Sequence, residues 1–125
     1  MPETNIEAVA DRLFQAIEGG DTATVEQTWD PGVVVWKVAD RDRDRTRALR
    51  VIDWFVNTTT DRRYEILDRQ FFDGGFVQQH VLRAGASDGT LIALRVCIVI
   101  KVGTDGLIHR IDEYFDPKDI APLFA

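Results

Sequence analysis

The chain has 125 residues, 45% of them hydrophobic and 29% charged, with 21 Asp and Glu against 15 Lys and Arg for a net charge of −6. That is enough for one folded domain, read as residues 1–125, and too little for two. The acidic balance repels phosphate backbones and argues against nucleic acid as a partner.

The opening MPETNIEAVADRLF has an early acid and no basic run before an apolar one, unlike a signal or transit peptide. No stretch approaches the roughly 20 apolar residues of a membrane span, so the expected compartment is the cytoplasm, with no membrane partner. Thr4 and Glu7 have capping-box spacing, and Ile6, Val9, Ala10, Leu13 and Ile17 recur at helical spacing until Gly19-Gly20, which gives a first helix. Asp21 caps a shorter helix through Val25 to about Thr28, Trp29-Asp30-Pro31-Gly32 reads as the turn that ends it, and Val33 to Val38 as a strand.

Asp40-Arg41-Asp42-Arg43-Asp44-Arg45 alternates in sign, which suits a solvated loop, with a functional lid as the competing reading. Ala48, Leu49, Ile52, Phe55 and Val56 share one face of a third helix that stops at Asn57-Thr58-Thr59-Thr60. From Arg62 onward three turn signals, Asp73-Gly74-Gly75, Ser87-Asp88-Gly89 and Thr104-Asp105-Gly106, divide four strands of a meander. Helices first and hairpins last predict an α+β fold: a curved antiparallel sheet of about five strands wrapped on three helices from the N-terminal half.

The segment from Leu91 to Ile100 is apolar on both strand parities except at Arg95. Either a second subunit covers the outer sheet face, giving a homodimer, or the strand is buried within the monomer. Cys97 is the only cysteine and His80 and His109 the only histidines, so no disulfide within the chain and no thiolate cage can form. A zinc site would need carboxylates, and no metal is expected.

Alternation places Phe76, Gln78, His80 and Leu82 on one face of their strand, and His109, Ile111, Glu113 and Phe115 on one face of the last. If the sheet curls around the helices, His80 and Glu113 face inward among Trp36, Phe55, Val96, Ile98 and Phe115. Burial raises a carboxyl pKa and a nearby imidazolium lowers it, so the two could exchange a proton near neutral pH. The bland alternatives are that they only satisfy each other, or that one faces solvent. A one-residue slip would bring Gln79 and Val81 inward in place of Gln78 and His80. His109 is either at the pocket mouth or an exposed strand-end residue; Trp36 and Trp54 are either pocket walls or core. Arg83, Arg110 and Asp112 have the opposite parity and suit surface ion pairs. No nucleophile elbow, P-loop, dinucleotide fingerprint or H-E-x-x-H occurs, so catalysis would run without a cofactor.

The opening helix, Val33-Val34-Val35-Trp36, Phe76-Val77-Gln78-Gln79-His80-Val81-Leu82 and above all Asp105-Gly106-Leu107-Ile108-His109-Arg110-Ile111-Asp112-Glu113-Tyr114-Phe115-Asp116 resemble the SnoaL-like branch of the nuclear transport factor two-like superfamily. That superfamily also holds ketosteroid isomerases and limonene epoxide hydrolases. The resemblance implies a cone-shaped α+β barrel, often dimeric, with a deep pocket for small apolar molecules. It puts Glu113 at the place of an acid–base carboxylate and His80 near that of the hydrolases' cationic residue. The chain departs from the hydrolases at Trp36, Val38 and Leu82, where they carry Tyr, Asn and Asp. Many relatives of this branch have His and Asn where Lys37 and Val38 stand.

The expected function is an isomerase, cyclase or hydrolase with Glu113 and His80 as catalytic residues. Trp36, Val38, Phe55, Gln78, Leu82, Val96, Ile98, His109, Ile111 and Phe115 would then form an enclosed substrate pocket. The alternatives are a non-catalytic binder of a lipid, terpenoid or polyketide-like ligand, and a dimeric scaffold.

Overall fold

The structure, a computed structural model, describes residues 5–124. Helix α1 (Ile6–Glu18) is capped by Asn5, whose side chain accepts from the Ala8 N–H at 3.1 Å. The expected capping residue Thr4 lies outside the described residues. Gly20, at φ 71°, turns the chain, and Asp21 caps α2 (Thr22–Thr28) by accepting from the Thr24 N–H and hydroxyl.

Strand β1 (Trp29–Lys37) starts four residues earlier than the sequence suggests. The Asp30 carboxylate accepts from the Gly32 N–H at 2.7 Å, so the Asp-Pro-Gly turn becomes an irregularity between Trp29 and Val34 inside the strand and does not precede it. The sign-alternating segment is also less free than a solvated loop. Arg43 exchanges two backbone hydrogen bonds with Val35, and Asp44 caps α3 (Arg45–Thr58) through the Arg47 N–H.

Strands β2 (Thr59–Phe72), β3 (Gly75–Ala86), β4 (Leu91–Val102) and β5 (Ile108–Tyr114) form the expected antiparallel meander. The sheet order is β1-β5-β4-β3-β2. The sheet is mixed, because β1 joins β5 in parallel. A long connection through α3 and three strands brings the chain back beside β1 in the same direction, which a hairpin could not do.

A short helix, α4 (Pro117–Phe124, 3₁₀ in form), closes the described chain and was not foreseen. It lies against α3, with the Phe124 and Trp54 rings stacked 5.1 Å apart.

The core lies between the inner sheet face and α1 and α2, around Leu13, Phe14, Val25, Phe76, Ile100 and Ile108. Strand β4 sends Ile92, Leu94, Val96, Ile98, Ile100 and Val102 inward, while its other parity, with Cys97 and Val99 half-buried and Leu91 exposed, faces out. Helix α3 buries only Ala48 fully. Leu49, Ile52, Phe55 and Val56 stay half-buried, and Ile52 and Phe55 face a cavity. No described helix is long and apolar enough to cross a membrane.

Candidate functional site

The cavity has a volume of about 910 Å³ and lies between the inner sheet face, α1, α3 and α4. That volume is within the range of small-molecule sites. Its floor is apolar and includes Leu13, Phe14, Ile98 and Ile111, whereas lining residues such as Ala39, Arg41, Arg47, Arg50 and Phe124 are exposed. It therefore opens to solvent on the side of α3 and the β1–α3 loop, and is not the enclosed pocket expected.

Both His80 and Glu113 line it. Phe76, Gln78, His80 and Leu82 are all buried, so β3 holds the parity read from the sequence and no register slip has occurred. Strand β5 and the residue after it keep Ile111, Glu113 and Phe115 on the cavity side but not His109. A β-bulge between Ile108 and Arg110 inserts one extra residue opposite β4, and that residue is His109. Its ring turns outward, with Nε2 3.3 Å from Asp105 and 3.7 Å from Asp30. These three side chains bring their ligating atoms within 4.8 Å of one another, and none of them lines the cavity.

Val38, Phe55, Leu82, Ile98, Ile111 and Phe115 also stand in the cavity wall. Trp36 does not. The inward residues of β1 are Val33, Val35 and Lys37, so Trp36 projects from the outer face and packs its ring 5.1 Å from that of Tyr114. Trp54, left open between wall and core, is in the wall. Val96 is buried in the core below the cavity. On the outer side Arg110 pairs with Asp112 and Arg83 with Glu65, the latter across β2 and β3.

Gln78 is fully buried behind His80, and its role is legible only in three dimensions. Asp11 on α1 accepts from Arg69 Nη1 at 2.7 Å, and Arg69 Nε donates to Gln78 Oε1 at 2.7 Å. A guanidinium has only donors, so the oxygen of the Gln78 amide must face it and the NH₂ is left to face His80 Nδ1, 2.8 Å away. Nδ1 is thereby the acceptor, and the proton of the neutral ring sits on Nε2. Burial first, and the Arg69 charge second, lower the His80 pKa to about 4. His80 is a neutral N–H donor at neutral pH, not the cation its place in the resemblance implies.

Tyr64 joins the pair. It lines the cavity, its ring meets that of His80 edge-on at 4.9 Å, and burial followed by the Glu113 and Glu18 charges pushes its pKa well above the ordinary phenol value. It stays protonated. Lys37 stands in register with Glu113 on adjacent strands, on the cavity side of both. Sequence reading did not select Tyr64 or Arg69, and it noted Lys37 only as a departure. The alternation of β2 could have indicated Tyr64, two residues from Ile66 and opposite Leu82. The buried Trp29 indole N–H, also in a wall residue, has no hydrogen-bond partner among the described residues.

This architecture, an opening helix pair under a curved mixed sheet with a cavity beneath α3, is that of a nuclear transport factor two-like fold. The family model of the SnoaL-like domain matches residues 10–111, and the chain belongs to that family.

The solved structures it resembles include PrhC of Penicillium brasilianum, at TM-score 0.84 and 14% identity over 94% of this chain and 84% of that one. An LEH-like epoxide hydrolase of M. tuberculosis follows at TM-score 0.80 and 18% identity, over 98% and 91% of the two chains. IdmH of Streptomyces antibioticus, a candidate polyketide cyclase, has TM-score 0.80 and 19% identity over 97% and 99%. At such identities the likeness speaks for the fold alone. A search of curated proteins finds no match.

Proposed function

We propose that this protein is an acid–base enzyme, an isomerase, cyclase or hydrolase working without a cofactor on a small, mostly apolar molecule, with Glu113 moving the proton and His80 as a neutral hydrogen-bond donor. The observation that carries this reading is the hydrogen-bonded chain Asp11–Arg69–Gln78–His80, which runs from a half-exposed carboxylate to a buried amide and imidazole and fixes the imidazole tautomer in the wall that Glu113 shares. A histidine that only filled space would not need a partly buried arginine and a buried amide to set its proton.

In the simplest step Glu113 removes a proton from carbon next to a substrate carbonyl, and the electron pair moves onto the carbonyl oxygen. The Nε2–H of His80 and the Tyr64 hydroxyl stabilise that oxygen as charge develops. Protonated Glu113 then returns the proton at another carbon in an isomerase; in a cyclase the enolate carbon attacks a second carbonyl, whose π pair moves onto its oxygen, and Glu113 gives its proton to the alkoxide so formed. Neutral donors suit this role, as in the handling of carbonyls by neutral imidazole elsewhere. Val38, Phe55, Leu82, Ile98, Ile111 and Phe115 supply the apolar contact. Membership of the SnoaL-like family and the likeness to an epoxide hydrolase and a candidate cyclase support the reading.

A panel of apolar ketones and enones incubated with the protein in D₂O and read by mass spectrometry tests it. Deuterium should enter next to the carbonyl with the native protein and fall at least about 100-fold with Glu113→Gln, at nearly unchanged ligand affinity. Equal exchange by both proteins, or binding without exchange by the native one, would remove the enzyme reading, and the second result would put a non-catalytic binding module in its place. We propose further that a second copy of the chain covers the outer sheet face around Trp36, Cys97, Val99 and Tyr114.

A further inference from the structure

The chain is acidic overall, with net charge −6, yet its cavity is not. Five basic residues line it, Lys37, Arg41, Arg43, Arg47 and Arg50, against the acids Asp40 and Glu113. Three of the five have a local counter-charge. Arg43 Nε donates to Asp40 at 2.6 Å, the Arg41 charge also acts on Asp40, and Lys37 stands beside Glu113.

Arg47 and Arg50 differ. They sit three residues apart on α3, so they emerge on the same side of the helix one turn apart. Both line the cavity and both are exposed, which puts them at its mouth, and neither forms an ion pair with another described residue. The wall next to them is apolar, made by Val51 and Trp54 of α3 and by Ile120, Leu123 and Phe124 of α4.

Resting on the reading of this cavity as a ligand site, we propose that its ligand is an amphipathic acid: a hydrocarbon-rich body fills the apolar floor and walls, and a carboxylate or phosphate group at one end is held at the mouth by Arg47 and Arg50. Guanidinium groups match both anions with paired N–H donors, and at a half-screened mouth two of them select the charged end and set which way the molecule enters. An excess of positive charge around the opening of an otherwise acidic protein also draws anions there over its acidic surroundings. The anionic end is kept near the solvent, and the opposite end of the molecule reaches the depth where His80 and Tyr64 stand. This accounts for positive charge at the rim of a pocket whose floor carries almost none.

The test is a fluorescence titration, read through Trp29 and Trp54 in the cavity wall, with dodecanoate, dodecyl phosphate and methyl dodecanoate at submicellar concentration in low and high salt. At low salt one or both anions should bind about ten-fold more tightly than the ester, and salt should erode the difference. The preferred anion identifies the headgroup. In the double variant Arg47→Gln, Arg50→Gln, the anion should bind only as well as the ester, with ester affinity unchanged.

Equal binding of ester and anions by the native protein, or a preference that survives in the double variant, overturns the proposal and leaves the cavity as a ligand site without an anionic anchor. Binding of none of the three overturns it together with the ligand-site reading on which it rests.

Discussion

His80 shows how one side chain takes its chemistry from residues far along the chain. Its proton position is set by Gln78, that amide by Arg69, and Arg69 by Asp11, 58 positions earlier. The Arg69 guanidinium also lies 5.9 Å from the Phe14 ring centroid and 5.8 Å from that of Phe76, so it is held by aromatic faces as well as by its carboxylate. Keeping His80 neutral has a consequence for stability. The unfolded chain binds a proton at the ordinary histidine pKa near 6.5, whereas the folded protein resists it until about 4. Above 6.5 both states are neutral and the folded state loses nothing. As pH falls through that window the unfolded state gains the proton first, so roughly 3 kcal/mol of stability is lost by pH 4. Urea unfolding at pH 7 and pH 4.5 should give a steep loss for the native protein and a clearly shallower one for His80→Asn, whatever that variant's absolute stability. Equal slopes would mean that His80 titrates normally.

At the scale of elements, two local events decide where side chains point. The bulge at His109 turns one imidazole out of the cavity while leaving Ile111, Glu113 and Phe115 facing in. The two backbone hydrogen bonds between Val35 and Arg43 fold the sign-alternating loop onto β1 and set the start of α3, hence the position of Arg47 and Arg50 at the mouth. The β2–β3 hairpin depends on a close approach at its turn. Gly75 opens β3 where a Cβ would run into the Ile100 carbonyl of β4 and the Phe72 ring. The carbonyl belongs to a paired strand and cannot move aside cheaply. Gly75→Ala should therefore lower stability by roughly 2 kcal/mol or more, read as a fall in Tm. A variant with native Tm would show that the two strands part more easily than their pairing implies.

At the scale of the whole molecule, the sheet has one face for the core and cavity and one that is neither fully polar nor fully covered. Trp36, Cys97 and Val99 are half-buried there, with Tyr114 and Leu91 more exposed. The proposed second copy would cover this face. Light scattering after size exclusion should then give about twice the 14.2 kDa of the chain, and Val99→Lys, which puts a charge in the middle of the face without touching the core, should return the single-chain mass. A native protein that runs at the single-chain mass would remove the dimer and leave the site untouched, because every residue of the cavity comes from one chain.

The sequence by itself determined what short-range chemistry controls. Helical spacing, the Asp21 cap, the glycine turns and the alternation of β3 placed the helices, the meander and the burial of His80 correctly, since each depends on residues a few positions apart. Tertiary structure decided the rest. The parallel pairing of β1 with β5, the bulge that ejects His109 and the outward face of Trp36 depend on how strands meet, and alternation tells which residues share a face but not which face is covered. Tyr64 and Arg69 were missed as parts of the site for the same reason, and Gln78, expected in the pocket wall, lies behind it. Their roles arise from contacts between α1, β2 and β3, and the cavity that Tyr64 lines exists only where α3 and α4 close over the sheet without filling the space beneath.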